Sequence, residues 1–153
     1  MKKGEAGLVT LGWREWVSFP NLGLDQVKAK VDTGARTSSL HAFEVRDFEE
    51  AGVHRVEFKM HPKQRDNDTV VVCIADIVDR RVVRDSGGHR ENRWVIETPI
   101  SIGAYTWNIE LNLTSRDDML FRMLLGRTAM KQRALVNPAR SFLVGKRRKT
   151  KKA

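Results

Sequence analysis

Apolar and polar side chains alternate with a period of two through most of this chain. Val27, Ala29 and Val31 fall on one face of residues 27–31, with Lys28 and Lys30 on the other. Val56, Phe58 and Met60 alternate with Glu57 and Lys59 in the same way. That period sets one face of a strand on a core and the other in solvent. Residues 8–11 and 16–19 predict two more strands, flanking a charged pair, with a turn at Pro20-Asn21-Leu22-Gly23. Phe43-Glu44-Val45 begins another, and the β-branched run 69–78 predicts a long one. Residues 93–102 and 106–113 predict a hairpin around Gly103-Ala104-Tyr105. The polar, glycine-rich stretch from Arg84 to Asn92 predicts a loop or hairpin tip. Good helix formers gather only in 128–135, before the stop signal Asn137-Pro138, and 141–144 returns to strand. Many short strands and one short late helix predict an all-β domain, closed or sandwich-like, rather than alternating βαβ units. No internal repeat interrupts this pattern.

Bulk properties narrow the class. The 153 residues suit one domain, and a hydrophobic fraction of 41% supports a core. No apolar run approaches about 18 residues, so no transmembrane helix and no membrane association is expected. The first residues lack the apolar stretch of a secretory signal, and a cytoplasmic protein is the simplest expectation. The lone Cys73 lies in an apolar run and reads as a buried strand residue. The net charge is +9, but Lys146, Arg147, Arg148, Lys149, Lys151 and Lys152 supply six of those charges and leave +3 for residues 1–145. The basicity thus belongs to a tail, 146–153, expected to be disordered beside a domain spanning 1–145. Such a tail reads as a solubilising end or as an electrostatic tether for something acidic, such as RNA, a ribosome or an acidic polypeptide.

The candidate chemistry sits in Val31-Asp32-Thr33-Gly34-Ala35. An aspartate directly after an alternating strand, in a glycine-bearing turn, is a carboxylate on a rigid support. By itself Asp-Thr-Gly also reads as an aspartate capping a turn. Far downstream, Met123-Leu124-Leu125-Gly126-Arg127 supplies two bulky aliphatics and a glycine that permits close backbone approach, just before the predicted helix. This ordered pair of motifs resembles the retropepsins, the retroviral-type aspartic peptidases. More closely, it resembles a bacterial and archaeal family of small retropepsin-like proteins, often labelled ATP-dependent zinc proteases and associated with ribosomal-modification glutamate ligases. The matching stretches are 28–42, 86–89, 119–127 and 137–143, nearly the whole chain apart from its ends.

The resemblance implies a closed retropepsin-like β-barrel with one short C-terminal helix. It implies that Asp32 is the catalytic aspartate, that Thr33 braces the dimer turn through its hydroxyl, and that Gly34 allows the turn. Ala35, Leu124, Leu125, Gly126 and Arg127 would support the site, and the loop Ser86-Gly87-Gly88-His89 would be the flap. One departure stands out. Retroviral enzymes carry an acid after Asp-Thr-Gly-Ala that pairs with the arginine after the downstream glycine. Here Arg36 occupies that position, opposite Arg127, and the ion pair cannot form.

An aspartic peptidase needs two carboxylates sharing one proton. One Asp-Thr-Gly per chain implies a symmetric homodimer. Asp85-Ser86-Gly87 is a permitted variant of the motif, but its polar flanks and the lack of a following aliphatic-aliphatic-glycine disfavour a single-chain dyad. No zinc or ATP signature supports the inherited label: His41, His54, His61 and His89 are scattered, and no phosphate-binding glycine loop is present. No metal and no cofactor is expected. His41 reads as a structural histidine, and Trp13, Trp16, Trp94 and Trp107 as core or dimer packing rather than base-stacking platforms. The leading expectation is an aspartic endopeptidase cutting a peptide or isopeptide bond of a glutamate-modified or ribosome-associated protein. The alternative is a non-hydrolytic partner of an ATP-grasp glutamate ligase. A nucleic-acid-binding barrel rests on charge alone, and the +3 of the body weighs against it.

Overall fold

A computed structural model describes residues 7–84, 87–115 and 120–147. In chain order the strands are β1 (Val9–Gly12), β2 (Arg14–Phe19), β3 (Leu24–Val31), β4 (Ser38–His41), β5 (Phe43–Glu50), β6 (Val53–Met60), β7 (Val71–Arg84), β8 (Arg90–Ile102), β9 (Tyr105–Thr114), β10 (Met123–Leu125) and β11 (Ala134–Asn137). One short helix, α1 (Arg127–Met130), follows β10. Strands β2, β3, β10, β4, β9 and β8 are neighbours in that order, and pairing of Ser18 with Ser101 returns β8 to β2. The result is the expected closed barrel, six strands around. Beyond β8 the sheet continues outward as β7, β6 and β5.

Alternation decides which side chains fill the barrel. Val27, Ala29 and Val31 turn inward from β3, and Val56, Phe58 and Met60 of β6, in the sheet's outward extension, are buried in the same core cluster. They meet Phe19, Leu40, Ile96, Leu111, Met123 and Leu125, all buried. Cys73 joins this core, as its apolar flanks predict, with Sγ 3.4 Å from the Leu22 carbonyl oxygen. Burial pushes its thiol up to about 12 from 9.0. The folded chain keeps this proton where the unfolded chain loses it, so stability should fall as pH rises from 9 toward 12. At pH 8 the native thiol should resist alkylation that denatured protein undergoes at once, as mass spectrometry would read.

Three expectations need correcting. The helix predicted over 128–135 stops after Met130, because Gln132 turns into the left-handed region (φ 63°) and Ala134–Asn137 pairs in parallel with Val9–Gly12. Ladder pairing overrides local helix propensity there. Residues 141–144 are not a strand. Phe142 N–H reaches the Arg14 carbonyl, but the Leu143 and Val144 amides bind the Glu15 carboxylate instead of a neighbouring strand. Finally, Ser38–His41 is a strand that no alternation announced, since all four residues are buried.

Candidate active site

The Asp32 turn is held by a strand threaded between its two flanks. β10 runs parallel to β3, with Leu125 opposite Val31, and antiparallel to β4, with Leu124 opposite Ser39. Met123 and Leu125 face the core with no exposed surface, while Leu124 between them is half-buried on the opposite face. Asp32 N–H donates to the Leu125 carbonyl at 2.8 Å, which fixes the end of β3 before the turn begins. Ala35 N–H closes the turn onto the Asp32 carbonyl at 3.2 Å, and Gly34 N–H donates to Asp32 Oδ1 at 3.0 Å. The carboxylate is therefore oriented by its own turn while remaining partly exposed.

A second set of bonds ties the turn to the chain after β10. Arg127 N–H donates to the Ala35 carbonyl at 2.8 Å and Thr128 N–H to the Arg36 carbonyl at 3.0 Å. Gly126 N–H reaches Ser38 Oγ at 2.9 Å. A Cβ on Gly126 would lie 2.4 Å from the Thr37 carbonyl oxygen and 3.0 Å from that of Ala35. Both obstacles are main chain, so neither can rotate away. Gly126→Ala should cost about 1–3 kcal/mol of stability and displace the Asp32 turn; a urea titration beside a turnover assay would read both. Gly34 acts by clearance rather than by a left-handed backbone, because a Cβ there would crowd Asp32 Oδ1 at 3.2 Å.

Asp32 opens into a cleft of about 1090 Å³. Gly34, Ala35, Ser39 and Leu124 line its floor, and Arg81, Val82, Val83 and Arg84, the last four residues of β7, line the opposite wall. The predicted flap residues Gly87, Gly88 and His89 occupy the tip of the β7–β8 hairpin, where Gly88 takes a left-handed φ of 84°, and none of them borders the cleft. Ser86 lies outside the described residues. Thr33 is exposed on the far side of the turn, beside a second groove of about 700 Å³ shared with Arg36, Arg127 and Leu135. Arg127 and Arg36 form no ion pair with a carboxylate among the described residues. Arg127 Nη1 instead donates to the Thr33 carbonyl at 3.0 Å, so the arginine braces the turn from within its own chain.

Polar groups that sequence reasoning missed lie beneath and across the cleft. Buried Arg93 donates through Nη1 to Asn112 Oδ1 at 3.0 Å, Ser39 Oγ donates to the same oxygen at 2.8 Å, and Asn112 Nδ2 reaches Thr37 Oγ1 at 3.1 Å. On the β7 arm, Arg81 clasps Glu110 with bonds of 2.7 and 3.2 Å and Asp79 with one of 2.6 Å. These hydrogen bonds raise the Arg81 guanidinium further above its usual range and lower Asp79. Arg36 and Arg84 border the cleft without such partners among the described residues, so cations outnumber anions there. Arg93 left no sequence signal beyond one charge in an apolar strand. Among the described residues no three His, Cys, Asp or Glu side chains gather as a metal would require.

Comparison with known proteins accords with this geometry. Residues 10–147 match the RimB-like family model, described as "Retropepsin-like aspartic endopeptidase RimB". A Shewanella pealeana protein named "Probable alpha-L-glutamate ligase" is 45% identical over 137 residues, which cover 90% of this chain but 30% of that protein. A Desulfotalea psychrophila protein of the same name is 45% identical over 135 residues, 29% of its length. The chain thus spans about 30% of the length of these curated relatives. The crystal structure of a Legionella pneumophila protein of unknown function superposes with a TM-score of 0.72 at 26% identity, covering 88% of this chain and 97% of that one.

Proposed function

Because this chain belongs to the RimB-like family of retropepsin-like aspartic endopeptidases, we propose that it hydrolyses peptide or isopeptide bonds with a pair of Asp32 carboxylates, one from each of two copies. The observation that carries this reading is the Asp32 carboxylate, oriented by Gly34 N–H and backed by Leu125, at the floor of a peptide-sized cleft. Two such turns meeting on a two-fold axis would bring like charges together, so one carboxyl keeps a proton. The ionised member takes a proton from a water while the protonated member donates to the scissile carbonyl oxygen. Water oxygen bonds to the carbonyl carbon to give a gem-diol. The C–N bond then breaks, the departing nitrogen takes the proton that came from water, and one gem-diol hydroxyl returns its proton to the other aspartate, which leaves a carboxylic acid and the original dyad. The β7–β8 arm, whose Val82 and Val83 border the cleft, would cover the bound chain.

The substrate we infer is acidic. Arg36 and Arg84 line the cleft without an acidic partner among the described residues, while Glu110 is engaged by Arg81. A glutamate-extended or ribosome-associated protein fits that charge, and the names of the longer relatives point the same way. The test is to incubate the protein with a glutamate-extended peptide and with its unextended control, and to follow both by mass spectrometry. Cleavage of the extended peptide supports the reading; no cleavage of either contradicts it. Arg84→Ala should raise KM for the acidic peptide by about threefold to tenfold with kcat nearly unchanged.

A second reading has its own observation: the matched part of the relatives lies within longer proteins named as glutamate ligases. A binding partner that regulates such a ligase would persist in Asp32→Asn protein, which a pull-down against the ligase would reveal. No helix among the described residues is long and apolar enough to cross a membrane.

A further inference from the structure

A separate concentration of chemistry lies on the outer face of the β2–β3 ribbon. Alternation along β2 leaves Arg14 and Trp16 partly exposed while Glu15 and Val17 are buried. Pairing sets Arg14 opposite Lys30 and Trp16 opposite Lys28. The C-terminal segment then crosses this ribbon, held by Phe142 N–H to the Arg14 carbonyl and Trp16 N–H to the Gly145 carbonyl. Rings and cations consequently interleave. The Arg14 guanidinium lies 4.6 Å from the Trp13 ring centroid and 4.9 Å from that of Phe142. Phe142 stacks on Trp16 at 6.1 Å with planes 20° apart. Lys28 Nζ and the Arg147 guanidinium approach the Trp16 ring to 5.3 and 5.8 Å.

Among the described residues, the charged groups set against these rings are cations. Glu15, the acid of β2, is fully buried and accepts backbone amides. Partial burial, then the positive charges of Arg14, Arg147 and Arg65, hold the Lys28 ammonium below its usual range. Like charges crowded together are costly unless an anion joins them. Beyond Arg147 the sequence adds Arg148, Lys149, Lys151 and Lys152.

We propose that this face binds single-stranded RNA. Its cations would meet phosphates, and its half-exposed rings and guanidinium plane would stack with bases, the combination by which sheet surfaces hold unpaired strands. An acidic polypeptide would use the cations and leave the rings idle. A lipid surface would call for exposed aliphatic side chains, and the large ones of this chain lie elsewhere, at positions such as Val72, Val82, Leu120 and Leu135. This site is independent of the cleft and of its chemistry.

The test is fluorescence polarisation with a labelled oligouridylate, against polyglutamate and inorganic polyphosphate of equal charge. The oligouridylate should bind tightest, and log Kd should change with log salt with a slope of about 2–3, as for release of counterions from three or four phosphates. Lys28→Glu with Arg147→Glu should weaken binding at least about tenfold, with peptide cleavage unchanged. Should the double variant melt early, Arg147→Glu alone carries the test, since Arg147 is exposed. Trp16→Leu should weaken binding severalfold at an unchanged salt slope, the signature of stacking. Equal affinity for polyglutamate or polyphosphate, or full binding by the charge-reversal variants, would overturn the proposal.

Discussion

Asp32→Asn should abolish hydrolysis, lowering kcat by at least about a thousandfold, while the barrel stays intact. The amide cannot take a proton from water, and a pair containing it cannot share one. Folding should barely notice. The side-chain oxygen accepts Gly34 N–H at 3.0 Å, and a carboxamide oxygen accepts the same bond. The anchors of the turn, from Asp32 N–H to the Leu125 carbonyl and from Arg127 Nη1 to the Thr33 carbonyl, are backbone acceptors that the substitution leaves untouched. Turnover of a glutamate-extended peptide, beside a thermal melt of the same sample, separates the two effects. Cleavage at a tenth or more of the parent rate would remove Asp32 from the chemistry.

The largest stability loss should come from a residue far from the cleft. Glu15 has no exposed surface, yet each of its oxygens accepts two backbone amides. Oε1 takes Val144 N–H at 3.0 Å and Gly145 N–H at 2.6 Å; Oε2 takes Gly12 N–H at 2.6 Å and Leu143 N–H at 3.0 Å. One carboxylate thus fastens the C-terminal segment to the bend between β1 and β2. In Glu15→Gln one oxygen becomes an NH₂ group facing two N–H donors. Two amides lose their acceptor in a buried site, and the amide nitrogen finds none. The loss should be about 3–5 kcal/mol, read as a shift in the midpoint of urea unfolding at constant slope. Glu15→Ala should cost at least as much, because all four amides are then orphaned.

How far these features could be read from the chain depends on the kind of signal each leaves. Strands with one wet face declare themselves through alternation, so β3 and β6 were legible residue by residue. The Asp32 turn and the Leu124-Leu125-Gly126 strand were legible as an ordered pair of motifs, because the chemistry fixes both residue types. Strand β4 was not, since Ser38, Ser39, Leu40 and His41 are all buried and a fully buried strand has no period. The helix ends short of what local propensity implies: Ala134 and Leu135 favour helices locally, whereas their pairing with Val9 and Thr10 is set by contacts more than a hundred residues away. Glu15 did carry a signal: it sits in the inward phase of β2, in step with Val17 and Phe19. A charge in that phase must find buried partners, but its four amides come from distant segments. The cleft wall was the hardest to foresee. Arg81 and Arg84 belong to a strand that runs past its apolar stretch, so the wall comes from the arm of the hairpin, while the glycine-rich tip stands apart.

The central claim is that one reaction centre requires two copies of Asp32. Mixing parent protein with Asp32→Asn protein under conditions that exchange subunits tests it directly, with total protein held constant. At one part parent to three parts variant, pairs holding two aspartates make up about one-sixteenth of all pairs, so activity should fall to about one-sixteenth of the undiluted parent, following the square of the parent fraction. Activity of about one-quarter, linear in that fraction, would mean that each chain works alone and would contradict the shared centre.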